Sequence, residues 1–252
     1  MMTLHQEAAL KRIHAELFEL LRDTVRVLEE EDIPYSLIGG TLLGAVRHQG
    51  FIPWDDDIDI VLPRDSYERF AAVYPSRAEE GYILALSDTW VPRVRKAGSS
   101  KTAFLDLFIL DPFPHGRFSR AWKLIRLKTL QGMLKEHTDY TRFPFSKRLL
   151  LRTTNMLGKP FPKQLKLRAY RRISQTGDPK SPYEHTANGT FEDLSIAFPR
   201  GSFAPSRLTY ASFEGLSVRV PKNAPEMLTM LYGSDYMTLP PEEQRVPIHL
   251  EL

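Results

Sequence analysis

The spacing of apolar residues predicts a long amphipathic helix near the start of the chain. Apolar residues recur every three or four positions from Leu10 to Leu28, and acidic residues followed by Pro34 mark the end of the helix. Short apolar runs bounded by turn residues then predict three strands, at residues 35–38, 58–62 and 103–110. Two helices are predicted between these strands, at residues 41–47 and 66–74.

The pattern changes after the third predicted strand. Residues 117–172 are typical of helices, with proline breaks near Pro144 and at Pro160 and Pro162. The remainder predicts a loop, two strand-like segments and a helix, at residues 177–188, 191–198, 209–220 and 224–232. We therefore expect an α+β protein of one domain, with a mixed β-sheet core flanked by helices. The domain has three parts: a core of residues 1–112, a helical insertion of residues 113–180 and a completing part of residues 181–252.

The composition excludes several classes of protein. The chain has 252 residues, of which 42% are hydrophobic and 26% charged, as is usual for a globular protein. No apolar run approaches the roughly 18–20 residues that span a bilayer, so a soluble protein is predicted. Cysteine is absent, which rules out a disulfide, a thiol nucleophile and a cysteine-ligated zinc site, and is compatible with the cytoplasm.

Charge is divided unevenly along the chain. Residues 117–172 contain 16 Lys and Arg but only two acidic residues, whereas the remainder contains 18 basic and 29 acidic residues. The segment is expected to lie on an anionic membrane surface, because apolar side chains are interleaved with these charges: Trp122, Leu124, Ile125, Leu127 and Leu130. A solvated basic surface is the plainer alternative. Nucleic-acid binding is disfavoured, since no such motif is visible and the acidic remainder would repel a polyanion.

Three aspartates predict a site for a divalent metal ion. Successive side chains of a strand face opposite ways, so Asp57 and Asp59 project from one face, where their charges repel unless a cation or protons neutralise them. Asp106 stands where the third strand would carry an apolar residue, and completes a carboxylate trio suited to Mg²⁺ or Mn²⁺ and to phosphoryl transfer. The alternative is an Asp-rich surface turn. An EF-hand is excluded, because Ile60 occupies the glycine position of such a loop.

A double glycine precedes these carboxylates. Gly39 and Gly40 lie between a predicted strand and helix, where small residues let the main chain approach an anion and the helix start supplies free N–H donors. We expect Gly39, Gly40 and Thr41 to bind a phosphate, assisted by Arg47. Among four basic residues before the third strand, Arg95 is the first choice to stabilise pyrophosphate charge; the others are Arg93, Lys96 and Lys101.

Together these residues resemble a known family. The run IGGTLLGAVRHQGFIPWDDDIDIVLPRDSYERF, followed by FLDLFILDPF, is similar to the LicD/fukutin family of phosphotransferases, as is LYGSDYMTLPPEEQR near the end of the chain. The resemblance covers about residues 30–112 and 213–245. Two departures are visible: the family more usually has proline near Ile109, and Ser234 interrupts an expected Tyr-Gly-Asp-Tyr run.

The resemblance implies a fold, a site and an activity. It implies a nucleotidyltransferase-like fold in which Asp57, Asp59 and Asp106 match the metal ligands, and Gly39 and Gly40 match the donor-phosphate turn. The implied reaction transfers phosphocholine or a polyol phosphate from a CDP-activated donor, such as CDP-choline, to a sugar of lipopolysaccharide, teichoic acid or a lipid-linked precursor. We expect the enzyme in the cytoplasm, peripheral to the inner membrane face. The alternative is a nucleotidyltransferase that moves the NMP half, since the same carboxylates serve both reactions.

Overall fold

The structure is a computed structural model that describes residues 4–86, 89–98, 103–135 and 145–247. Lys101 and the predicted break near Pro144 lie outside these ranges. The chain divides into two compact units. The larger unit comprises Met1–Ala85, Arg93–Phe108 and Gly201–Leu252, and the smaller comprises Leu86–Pro92 and Ile109–Arg200. The prediction of a single domain stays a prediction.

The larger unit contains the elements that carry the predicted site. Its helices are α1 (Leu4–Glu30), α2 (Gly39–Arg47), α3 (Arg64–Arg77) and α7 (Ala224–Tyr232). Its strands are β1 (Ser36–Leu37), β2 (Ile58–Pro63), β3 (Tyr82–Ala85), β4 (Arg93–Lys96), the first half of β5 (Leu105–Pro112), β8 (Leu208–Phe213) and β9 (Leu216–Pro221). The main sheet has the order β1-β2-β5-β4-β3, and β8 and β9 form a separate hairpin.

The core of this unit explains why these segments fold as they do. The three-to-four spacing of α1 places Leu17, Leu21 and Leu28 on a face that is completely buried. Strand β2 is central in the sheet, and Ile60, Val61 and Leu62 are consecutive residues with no exposed surface. Consecutive burial means that both faces of β2 are covered, as expected for an inner strand.

The smaller unit contains most of the basic segment. It is built from α4 (Arg117–Leu134), α5 (Phe145–Gly158) and α6 (Lys163–Ser174), together with the second half of β5, β6 (Tyr183–Thr186) and β7 (Phe198–Pro199). Its core includes Leu127, Leu134, Leu167, Tyr170, Ile173 and Leu194. Lys123 of α4 is buried in this unit, and its ammonium donates to the carbonyl oxygens of Pro112, Ser174 and Thr176. A buried charge of this kind is tolerated because its N–H donors are satisfied.

The predicted α+β class with a mixed sheet flanked by helices is confirmed. The long first helix and the helix at 224–232 are observed as α1 and α7. The strand predicted third is in fact the fifth, because β3 and β4 precede it. These two strands have only four residues each, and the sequence of β4 is Arg-Val-Arg-Lys. Their sequence pattern is therefore weak, and pairing with neighbouring strands stabilises them.

Four further details differ from prediction. Gly39 and Gly40 belong to the first turn of α2 rather than preceding it, and strand β5 continues through Asp111-Pro112. The predicted loop at 177–188 contains strand β6, which pairs with the end of β5. The strand-like segment at 191–198 contains a 3₁₀ turn, and only its last residue belongs to a strand, β7.

Among the described residues, no helix is long and apolar enough to cross a membrane.

His185 is expected to make the protein sensitive to acid. Its side chain has no exposed surface, it stacks on Phe113 at 4.3 Å, and burial lowers its pKa from the ordinary value of 6.5 to about 3. Below pH 6.5, His185 therefore binds a proton in the unfolded chain but stays neutral in the folded chain. The free energy of unfolding falls as the pH falls. From pH 7.5 to pH 5 we expect this group to remove about 2 kcal/mol of the free energy of unfolding.

Urea unfolding at both pH values measures this loss. In the variant His185→Phe, which keeps the ring stacking but cannot titrate, the fall should be smaller by about the same 2 kcal/mol. An equal fall in both proteins would show that other groups cause the sensitivity.

Candidate active site

An acidic loop leads into strand β2. Asp57 immediately precedes the strand and Asp59 is its second residue. Both aspartates are half-buried, whereas the intervening Ile58 and the following Ile60 have no exposed surface. The isoleucines anchor the strand in the core, while the two carboxylates retain access to solvent. Asp56, by contrast, is buried.

The start of α2 approaches this loop closely. Gly39 has φ +62°, and a Cβ added there would lie only 2.7 Å from Asp59 Oδ2. A Cβ added at Gly40 would lie 2.5 Å from Asp55 Oδ2. The main-chain N–H of Asp59 donates to the Thr41 hydroxyl at 2.8 Å. Thus the two glycines permit contact between the helix start and the carboxylates, and Thr41 fixes that contact.

Asp106 is held by an arginine on the neighbouring strand. Arg93 Nε donates to Asp106 Oδ1 at 2.6 Å, and Arg93 Nη2 donates to Oδ2 at 3.2 Å. The two residues are cross-strand partners in β4 and β5, and the guanidinium also stacks over Phe104 at 3.7 Å. Arg95, the predicted first choice, lies two residues further along β4 and so shares the sheet face of Arg93. Arg93 is therefore the residue that the structure couples to the predicted trio.

Removal of Arg93 is expected to cost stability as well as activity. Asp106 is buried, so the Arg93→Ala variant leaves a carboxylate without its principal partner. We expect a loss of about 2–3 kcal/mol in the free energy of unfolding. The double variant Arg93→Ala/Asp106→Ala should be less destabilised than the sum of the two single variants. Urea unfolding of all four proteins measures this coupling; additive losses would show that the pair contributes no interaction energy.

Helix α1 contributes a histidine that the sequence pattern did not indicate. His14 Nε2 donates to the main-chain carbonyl of Asp55 at 2.7 Å, and its ring stacks on Phe51 at 4.2 Å. Burial lowers the pKa of His14, although the Asp55 carbonyl and the charges of Glu214 and Asp56 oppose the change. A cavity of about 380 Å³ lies beside His14 and Phe51. The hydrogen bond of His14 thus ties the acidic loop to helix α1.

Residues 236–245, called the closing segment below, contact helix α2 and the acidic loop. Arg47 Nη1 donates to the main-chain carbonyls of Tyr236, at 2.9 Å, and Thr238, at 3.5 Å. The Arg245 guanidinium lies 5.5 Å from the ring centroid of Trp54, which directly precedes the acidic run. In this structure Arg47 therefore binds the closing segment, and its predicted contact with a phosphate stays a prediction.

The donor chemistry of the loop suits a hard divalent cation. Asp57 and Asp59 offer only carboxylate oxygens, the ligands that Mg²⁺ and Mn²⁺ prefer, and the chain has no cysteine. The space left by Gly39 admits the Asp59 carboxylate. Within the described ranges, however, no group of three His, Asp or Glu side chains is close enough to hold a metal ion. The three-ligand site with Asp106 therefore stays a prediction.

These features define the class of protein. Glycines at a helix start lie against the carboxylates of Asp55 and Asp59, and residues 32–108, which include both, match the family model described as LicD/FKTN/FKRP, nucleotidyltransferase domain. The chain is also 31% identical to the lipopolysaccharide cholinephosphotransferase LicD of Haemophilus influenzae, over 88% of this chain and 89% of the relative. It belongs to the LicD/FKTN/FKRP family and is a transferase of that family.

A second relative matches over a shorter stretch. The ribitol 5-phosphate transferase FKRP of Homo sapiens is 52% identical over 44 residues, which cover 18% of this chain and 9% of FKRP. An uncharacterized protein of Rickettsia typhi is 44% identical over 75 residues, which cover 30% of this chain and 24% of that protein. The resemblance inferred from the sequence motifs is confirmed by these comparisons.

Proposed function

We propose that this enzyme transfers a phospho-alcohol group from a CDP-linked donor to a sugar hydroxyl of a cell-surface glycan or its lipid-linked precursor. The main support is the similarity along nearly the whole chain to a lipopolysaccharide cholinephosphotransferase. FKRP, which matches locally, is named for ribitol 5-phosphate instead. The two relatives share the transfer of a phosphorylated alcohol, so that group, rather than choline itself, is the part of the reaction assigned to this chain.

The chain's own residues have distinct parts in this proposal. Asp57 and Asp59 would hold Mg²⁺ or Mn²⁺, which supplies positive charge to the donor pyrophosphate when it is bound. The main-chain N–H groups at the start of α2, at Gly39 and Gly40, would donate to a donor phosphate. Arg93 and Arg95 add positive charge on one sheet face.

The bond changes follow from the donor. The acceptor hydroxyl attacks the phosphorus that carries the alcohol; its new P–O bond forms as the bond to CMP breaks, and CMP leaves with the electron pair. The hydroxyl proton passes to a carboxylate or to water. Asp106 is a candidate for this base or for the third metal ligand, but both of its oxygens accept hydrogen bonds from Arg93. Each carboxylate oxygen keeps a second lone pair, so Asp106 can take either role while Arg93 stays bound.

Incubation with CDP-choline or CDP-ribitol, Mn²⁺ and lipopolysaccharide or teichoic-acid acceptors tests the proposal. The expected products are free CMP and an acceptor that gains the phospho-alcohol, in amounts that match. Transfer of CMP to the acceptor, with release of phosphocholine or ribitol phosphate, would instead establish the nucleotidyltransferase alternative. Full activity in the presence of excess EDTA would show that transfer needs no divalent metal ion.

The acceptor class also suggests a location. A lipid-linked glycan precursor presents its sugar at a membrane, and the basic segment carries the charge that an anionic leaflet attracts. We therefore place the enzyme at the inner membrane face as a peripheral protein.

A further inference from the structure

Helix α5 of the smaller unit exposes an apolar face to solvent. Leu149, Leu150, Met156 and Leu157 are each 50–64% exposed. Leu150, Met156 and Leu157 follow Leu149 by one, seven and eight residues, which places all four on one side of the helix. The opposite side carries Leu151 and is buried. This is the reverse of an ordinary surface helix, whose polar side faces water.

Helix α4 has a similar stripe. Phe118, Trp122 and Ile125 are 94%, 63% and 56% exposed, and their spacing of four and seven residues aligns them on one side. The other side of α4 enters the core through Leu127 and Leu134. Leu165 of α6 and Phe161, just before it, are also about half exposed. Large apolar side chains exposed in such a group mark an interaction surface.

The charges around these stripes have one sign. Every charged residue in 117–135 and 145–172 is Lys or Arg. Lys123 and Lys166 are buried and donate to main-chain carbonyls. Other cations in these ranges are exposed, and they include Arg117, Arg126, Arg152, Lys159 and Arg168.

We propose that the exposed faces of α4 and α5, with the exposed cations of residues 117–172, form a docking surface for an anionic phospholipid bilayer. Apolar side chains enter the boundary between headgroups and acyl chains, while Lys and Arg pair with lipid phosphates. A second copy that docks through the same surface is a poorer occupant, since the two basic surfaces would repel. A nucleic acid would use the cations but leave the apolar stripes in water.

A cavity beside α5 suits the same ligand. It has a volume of about 260 Å³ and is lined by Asn155, Lys159, Phe161 and Lys163, among others. Lys159 and Lys163 would pair with a headgroup phosphate, and Phe161 would contact its acyl chains. The surface serves the membrane location proposed above, and its test needs no transfer reaction, so the two proposals can fail separately.

Co-sedimentation of the full chain with vesicles tests the surface. We expect binding to phosphatidylcholine vesicles that contain 30% phosphatidylglycerol, and little binding to phosphatidylcholine alone. The double variant Trp122→Ser/Met156→Ser should weaken binding by at least about tenfold, because two exposed apolar anchors are lost. The variant Arg126→Glu should weaken it by about fivefold or more, and added salt should weaken the wild type.

Matched controls lie in the larger unit. Met230 is 44% exposed on α7 and Arg207 is exposed, so Met230→Ser and Arg207→Glu repeat the Met→Ser and Arg→Glu changes outside the smaller unit and should bind like the wild type. All variants alter exposed side chains and should keep the wild-type thermal unfolding temperature and the rate of transfer to a soluble acceptor. Equal binding to both vesicle types, or equal effects of test and control variants, would overturn the proposal. The proposal would also be overturned if the test variants lost binding to duplex DNA, or lost self-association, while their binding to vesicles persisted.

Discussion

Replacing Asp57 or Asp59 with asparagine is expected to abolish transfer, with a rate reduction of at least about a thousandfold. The variant keeps the size of the side chain but loses the charge that would hold Mg²⁺ or Mn²⁺, and a thousandfold corresponds to about 4 kcal/mol of transition-state stabilisation. The fold should survive. Asp59 is tied to Thr41 through its main-chain N–H, which the substitution leaves intact, and the loss of one of two neighbouring negative charges relieves repulsion.

The measurement is the rate of CMP release at saturating Mn²⁺, together with the free energy of unfolding in urea. Asp65→Asn is the matched control, because Asp65 is an exposed carboxylate in the first turn of α3. It should retain nearly all activity. Near-normal turnover in Asp57→Asn or Asp59→Asn would exclude these residues as metal ligands, and unfolding of either variant would mean that the carboxylates have a structural role instead.

The components of this site that are close in sequence were predictable. The period-two pattern around Asp59 indicated one strand, and the glycine pair after residues 35–38 indicated a helix start. Both are local signals, since strand alternation and helix nucleation depend on neighbouring residues. The comparison with LicD of Haemophilus influenzae confirms the family that these motifs suggested.

The components that are distant in sequence were not predictable. The pairing of Arg93 with Asp106 depends on the register between β4 and β5, and β4 carried too weak a pattern to be recognised. The bond from His14 to Asp55 joins residues 41 positions apart, and nothing in the periodicity of α1 distinguishes His14 from other polar residues. Non-local pairing fixes both contacts, and a single sequence does not reveal it.

The exposed faces of α4 and α5 illustrate the same limit. Alternation of basic and apolar residues suggested membrane binding, yet a periodic apolar pattern usually marks the buried side of a helix. Only the structure separates the apolar residues that enter the core, such as Leu127, from those that face water, such as Trp122. The charge of the segment was therefore readable from the sequence, whereas its exposed apolar face was not.

Replacing Gly39 with alanine is the second change expected to have a large effect. Gly39 has φ +62°, so a Cβ costs about 1–2 kcal/mol in backbone energy alone. That Cβ would also lie 2.7 Å from Asp59 Oδ2, well inside normal contact distance. The carboxylate or the helix start must move, which separates the N–H donors from the proposed metal ligands. We expect transfer to fall by at least about a hundredfold, since small displacements of this kind are costly in catalysis.

Gly98→Ala separates the loss of geometry from the loss of stability. Gly98 has φ +73°, so alanine meets a similar backbone penalty there, but nothing lies within 4 Å of its Cβ. Both variants should lose at least about 1–2 kcal/mol in urea unfolding, while only Gly39→Ala should lose transfer and the thermal stabilisation that we expect CDP-choline and Mn²⁺ to give the wild type. If the two variants lose activity equally, the effect comes from general destabilisation. If Gly39→Ala retains full activity, the close approach of α2 to Asp59 is not needed for the reaction.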